Sequence, residues 1–102
     1  MSVAIPPRAV TLYRVAAGRL QVVDFQYHER LHPAVSSYTR QLGDEVERIY
    51  PMRSGKLEYG WWLTRGEAIS AAVEQAEDKV EALENRLRDA RELLVEIRKL
   101  LG

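Results

Sequence analysis

Apolar residues in the last third of the chain recur at alternating spacings of four and three: Ile69, Val73, Ala76, Val80, Leu83, Leu87, Ala90, Leu94, Ile97 and Leu101. This alternation has a period of 3.5 residues, shorter than the 3.6 of a straight helix, so the stripe keeps to one side only if the helix supercoils around another. Val73, Val80, Leu87, Leu94 and Leu101 take heptad position a, and Ile69, Ala76, Leu83, Ala90 and Ile97 take position d. A helix lying on its own sheet would show a broader stripe of period 3.6. Leu93 and Leu100, at position g, broaden the seam in that direction.

A start signal precedes the seam. Thr64-Arg65-Gly66-Glu67 has the form of a capping box, in which the threonine hydroxyl accepts from the N–H of the glutamate and the glutamate carboxylate reaches back to the threonine N–H. No proline follows, and Ala, Glu, Leu and Arg dominate to the end, which predicts one helix over residues 64–101, roughly 57 Å long. Acidic residues prevail in its first half and basic residues in its second, an order that complements the helix macrodipole.

The charges beside the seam speak to orientation. Position e holds Glu77, Glu84, Arg91 and Arg98. An antiparallel partner sets Glu77 against Arg98 and Glu84 against Arg91, whereas a parallel one gains Lys79 against Glu84 but opposes Arg86 to Arg91. Antiparallel pairing is favoured. Exposed pairs are worth about 0.2 to 1 kcal/mol each, so charge selects the orientation while the Leu, Ile and Val layers supply the stability.

Before Thr64 the periodicity changes from helical to alternating. Residues 10–16 (VTLYRVA) and 19–27 (RLQVVDFQY) are rich in β-branched and aromatic side chains, with Ala17-Gly18 between them as a hairpin turn. Residues 57–63 (LEYGWWL) read as a further strand, with Leu57, Tyr59, Trp61 and Leu63 on one face and Trp62 on the other. A turn at Arg53-Ser54-Gly55-Lys56 leads into it. Residues 34–50 carry a helical spacing at Val35, Tyr38, Leu42, Val46 and Ile49, but VSSYTR favours extended backbone, and the reading here is strand followed by loop. The fold class is α+β. A small antiparallel sheet of three to four short strands (1–63) is followed by one long carboxy-terminal coiled-coil helix (64–102).

Composition narrows the function. The chain has 102 residues, 46% hydrophobic and 29% charged, which fits one small globular unit and excludes a disordered chain. No apolar run approaches the roughly 20 residues of a membrane span, and MSVAIPPRAV has neither the basic flank nor the apolar stretch of a targeting peptide, so a cytoplasmic location is expected. The absence of cysteine removes disulfides, thiolate metal sites and thiol nucleophiles. Net charge is zero, which gives no global field toward nucleic acid.

One motif names a chemistry. His28-Glu29-Arg30-Leu31-His32 spells HExxH, which on a helix places two imidazoles on one face to hold zinc beside a glutamate base. It resembles the zinc-peptidase signature. Pro33 follows directly and opposes helix at His32, and in extended chain residues four apart are separated by roughly 13 Å. His28 and His32 are therefore remote candidates, and neither an enzyme nor a cofactor is expected. Tyr59, Trp61 and Trp62 make an aromatic group in which Tyr59 and Trp61 read as core between the sheet and the long helix and Trp62 as an exposed contact. Arg14 and Arg19 join Trp62 as candidate partner contacts, because a sheet face lined with arginines would meet acidic groups or phosphates.

The run TRGEAISAAVEQAEDKVEALENRL after YGWWL resembles a recurrent pattern in small orphan proteins of phages, archaeal viruses and other mobile elements, where T-x-x-E-A opens a terminal coiled coil. The resemblance covers about the last 45 residues and implies an accessory protein that acts by binding; it carries over no catalytic residue. The expected function is thus a non-enzymatic, oligomeric interaction protein, a homodimer or higher through antiparallel helices, with a macromolecular partner at the sheet. Nucleic-acid binding is the second reading and a zinc hydrolase the third.

Overall fold

The computed structural model describes residues 5–30 and 35–102, a four-stranded antiparallel sheet followed by one long helix. β1 (Arg8–Ala16), β2 (Arg19–His28), β3 (Ser37–Leu42) and β4 (Glu45–Ile49) follow one another across the sheet in chain order, and the helix α1 spans Arg65–Lys99. By compactness the chain divides into two units, Met1–Ser70 and Ala71–Gly102, so the first turns of the helix belong with the sheet. Ala68 is buried within that first unit.

β1 and β2 pair along their length, from Arg8↔Tyr27 to Ala16↔Arg19. Their two-residue turn has both central residues left-handed, Ala17 at φ 51° and Gly18 at φ 73°, as the hairpin turn that matches strand twist requires. The second hairpin corrects the reading of residues 34–50. β3 and β4 pair from Tyr38↔Ile49 to Leu42↔Glu45, so strand stands where loop was expected. Gly43, at φ 60° in the first turn position, supplies the conformation that reverses the chain.

Alternation across these strands gathers one buried apolar residue from each: Leu12, Phe25, Tyr38 and Ile49. Residues 51–63 cover that face with Leu57 and Trp61, and Val10, Val23 and Tyr27 pack at the margin. Trp61 and Phe25 meet edge to face at 5.0 Å between ring centroids.

The covering segment is not the strand that alternation predicted. Tyr59 (φ 58°) and Gly60 (φ 79°) are both left-handed, forming a 3₁₀ turn over Glu58–Gly60 that lets the Leu57 N–H donate to the Trp61 carbonyl at 2.9 Å. Leu57 and Trp61 thereby reach the core together, while Tyr59 and Leu63, expected on the same face, are exposed. Beyond the turn Trp62 exchanges two backbone hydrogen bonds with Tyr13, at 2.9 and 2.8 Å, and satisfies part of the outer edge of β1. The turn at Arg53 to Lys56 forms as read. Its Gly55 has φ 80°, and a Cβ there would stand 3.0 Å from Glu67 Oε2.

The helix begins at its predicted cap. The Glu67 N–H donates to Thr64 Oγ1 at 3.2 Å, but the Glu67 carboxylate accepts from the Thr64 hydroxyl at 2.8 Å rather than reaching back to the backbone. Arg98 and Lys99 occupy the last turn, where a cation meets the negative end of the macrodipole.

Candidate interaction surfaces

Every residue from Val73 to Gly102 is exposed. The large seam residues Val73, Val80, Leu83, Leu87, Leu94 and Ile97 are each 45 to 53% accessible, and Leu101 more so; Ile69, at the base, is 38% accessible. Helices of globular proteins draw most of their stability from burying an apolar face, and this seam lies open along the second unit. Val73, Ala76, Glu77 and Val80 border a shallow depression on its surface. Their spacing is that of the four residues forming a hole for one knob of a partner helix.

The charges flanking the seam are equally open. Among the described residues the helix makes one ion pair, Lys99 with Glu96 at 3.1 Å, and one further side-chain bond beyond its cap, Arg88 to Asn85 at 3.0 Å. Glu77, Glu84, Arg91 and Arg98 have no ion-pair partner among the described residues.

The second surface belongs to the sheet unit. Register places Arg8 and Arg14 on the core-side face of β1, with Arg19 and Arg40 on the same face of β2 and β3. Three of these rest on aromatic rings. Arg8 lies 5.1 Å from the Tyr27 centroid, Arg14 lies 4.2 Å from that of Trp61, and Arg40 lies 5.2 Å from both Phe25 and Trp61. A guanidinium held against a ring face gains from the ring quadrupole while its stem covers apolar surface. Arg40 is neutralised by its cross-strand partner Glu47 at 2.8 Å, with both side chains about one fifth exposed. Arg14 donates to Gln21 Oε1 at 2.8 Å and to the Tyr59 carbonyl at 3.2 Å, so it fastens the left-handed turn to the sheet.

The three candidate contacts therefore stand in different surroundings. Trp62 is half-buried, with its backbone tied to Tyr13, and Arg14 is bonded within the fold. Arg19 is exposed beside the hairpin turn. Sequence reasoning missed the Arg14, Trp61, Arg40 stack; the signal for it was Arg14 and Arg40 at inward positions of the strands that carry Leu12 and Tyr38 to the core.

On the opposite sheet face, His28 ends β2, and its Nε2 lies 2.7 Å from Thr39 Oγ1. Ser37, fully buried, accepts from Arg48 at 2.6 Å. His28 is in strand, and Glu29 and Arg30 are not helical; His32 lies outside the described residues, so the second imidazole of the HExxH pattern is not placed. Among the described residues no group of three His, Cys, Asp or Glu side chains is gathered to hold a metal, and no helix is long and apolar enough to cross a membrane.

Burial raises the pKa of Tyr38 above its ordinary 10.0, and the neighbouring Tyr27 adds to the rise while Arg8 opposes it. The rings of Tyr27 and Tyr38 are 4.9 Å apart. Comparison with protein-family models, with curated proteins and with solved structures found no match to the chain.

Proposed function

We propose that this chain is a non-enzymatic interaction protein that self-associates through the helical seam and offers its sheet unit to a macromolecular partner. The observation that carries the reading is the open seam, an unbroken set of heptad apolar residues roughly half exposed along a helix that buries nothing from Val73 onward. Fully burying a Leu, Ile or Val is worth about 1.5 to 3 kcal/mol, so covering side chains that are half exposed returns roughly 1 kcal/mol each. With six such residues on each helix between Val80 and Leu101, a pair gains on the order of 12 kcal/mol before an association cost of about 4 to 15 kcal/mol. That margin supports a reversible oligomer rather than a permanent one.

For the sheet unit, Arg19 at the hairpin and the outer side of Trp62 are the contacts that best suit a protein partner. No observation favours nucleic acid above it, since Arg8, Arg14 and Arg40 lie on aromatic rings. Light scattering on the intact protein tests the self-association. A mass at least twice 11.7 kDa is expected, falling to 11.7 kDa in Leu87→Asp, which places a charge at the middle of the seam. A wild type of 11.7 kDa at all concentrations, unaltered by the substitution, overturns the reading.

A further inference from the structure

We infer that the seam is covered by a second copy of this chain running antiparallel in one register, with Leu87 packed against the partner's Ala90. This rests on the self-association proposed above and adds its geometry. In an antiparallel pair each a residue meets a d residue, and the residue numbers that meet sum to a constant. Setting Leu87 on the partner's Ala90 makes the other layers Leu83 on Leu94, Val80 on Ile97 and Ala76 on Leu101, each occurring twice by symmetry. Both seam alanines then face leucines, and small against large keeps the packing even along the pair. A parallel pair stacks Ala76 on Ala76 and Ala90 on Ala90 and leaves two thin layers.

Charge selects the same register. At e, Glu77 faces the partner's Arg98 and Glu84 faces the partner's Arg91, and all four side chains lack an ion pair within the chain among the described residues. At g, Lys79 and Arg86 face Leu100 and Leu93, so no like charges meet. Sliding the pair by one heptad toward the amino termini brings Glu84 onto Glu84 and Arg86 onto Arg86. Sliding it the other way brings Arg91 onto Arg91 and loses layers. Like charges held opposite one another exclude those registers. The paired segment, from Ala76 through the end of α1 to the turn at Leu101, is roughly 38 Å long.

Arg91→Glu separates the arrangements because its effect changes sign. In the antiparallel register it sets a new carboxylate against the partner's Glu84 at both symmetric contacts, which weakens dimerisation by about tenfold to a hundredfold. In a parallel pair it replaces the Arg86 to Arg91 repulsion by attraction, and dimerisation tightens. The measurement is the dissociation constant of the full chain by sedimentation equilibrium at low salt, with far-UV circular dichroism confirming that the helix persists. The double variant Glu84→Arg/Arg91→Glu exchanges the antiparallel charges and is expected to return the constant to within about threefold of wild type. Weakening with rescue supports the register. Tightening by Arg91→Glu, or no change, overturns the register while leaving self-association in place; a monomeric wild type overturns both.

Discussion

Trp61→Ala tests the core that holds the sheet together. Trp61 is fully buried, 5.0 Å from Phe25 at an interplanar angle of 71°, with Arg14 4.2 Å above its ring. Truncating a buried tryptophan to alanine costs about 3 to 5 kcal/mol, and an edge-to-face pair contributes about 0.5 to 1.5 kcal/mol beyond its area. A single core in a unit of fewer than about 80 residues supplies about 3 to 5 kcal/mol in all. The loss therefore matches the whole stability of the unit, and Trp61→Ala is expected to leave residues 5–63 unfolded. Trp61→Phe is the informative companion. It keeps a ring against Phe25 and removes Nε1, a buried donor with no hydrogen-bond partner among the described residues. An unsatisfied buried donor costs about 1 to 3 kcal/mol, so its removal offsets part of the lost volume and leaves a net cost of roughly 1 to 2 kcal/mol. Urea denaturation followed by Trp62 fluorescence reads the sheet unit, since Trp62 is then the remaining tryptophan, while far-UV circular dichroism follows the helix. Wild-type-like unfolding of Trp61→Ala would refute the account of the core. A Phe variant as damaged as the Ala variant would show that the indole N–H has an acceptor.

Two further substitutions probe the sheet unit. Ala17 is held at φ 51°, a conformation that costs a non-glycine residue roughly 1 kcal/mol, so Ala17→Asn should stabilise the first hairpin and raise its melting temperature by about 4 °C; an unchanged or lower value would contradict the turn geometry. Because the pKa of Tyr38 lies above 10.0 in the folded state, the native chain holds its proton more tightly than the unfolded chain. Its contribution is complete below pH 10.0 and is lost as pH rises past that value, so the urea midpoint should drop on the alkaline side of pH 10.0, and less steeply in Tyr38→Phe. Equal slopes in the two proteins would remove Tyr38 as the cause.

The helix and the first hairpin were legible because each rests on a signal that lies within a few residues of sequence. Thr64 and Glu67 mark a start whose capping bond, from the Glu67 N–H to Thr64 Oγ1, forms at 3.2 Å, and no proline between Arg65 and Lys99 opposes propagation. Ala17-Gly18 separates two alternating runs whose register then follows from the turn alone. The second hairpin was obscured because Tyr38, Leu42, Val46 and Ile49 carry a helical spacing. Tyr38 and Ile49 face one another as partners, whereas Leu42 and Val46 are exposed near the turn. Gly43-Asp44 was the sign that two strands, and not one, occupy that stretch.

The segment over the core failed for a different reason. In LEYGWWL the alternation of Leu57, Tyr59, Trp61 and Leu63 imitates a strand, and Leu57 and Trp61 do share the core side, but Gly60 permits the left-handed pair that leaves Tyr59 and Leu63 exposed. A glycine inside a strand pattern is itself evidence of a bulge or turn, and weighing it above the alternation gives the observed result. The consequence reaches the candidate contacts. Arg14 is bound to the Tyr59 carbonyl because that turn exposes a backbone acceptor over β1, and its charge lies on Trp61 because Trp61 has turned inward. A side chain chosen from sequence as a partner contact is thereby occupied at home. The seam charges Glu77, Glu84, Arg91 and Arg98 instead lie on a helix that offers each of them no ion-pair partner among the described residues, which is why the proposed pairing assigns the choice of register to them.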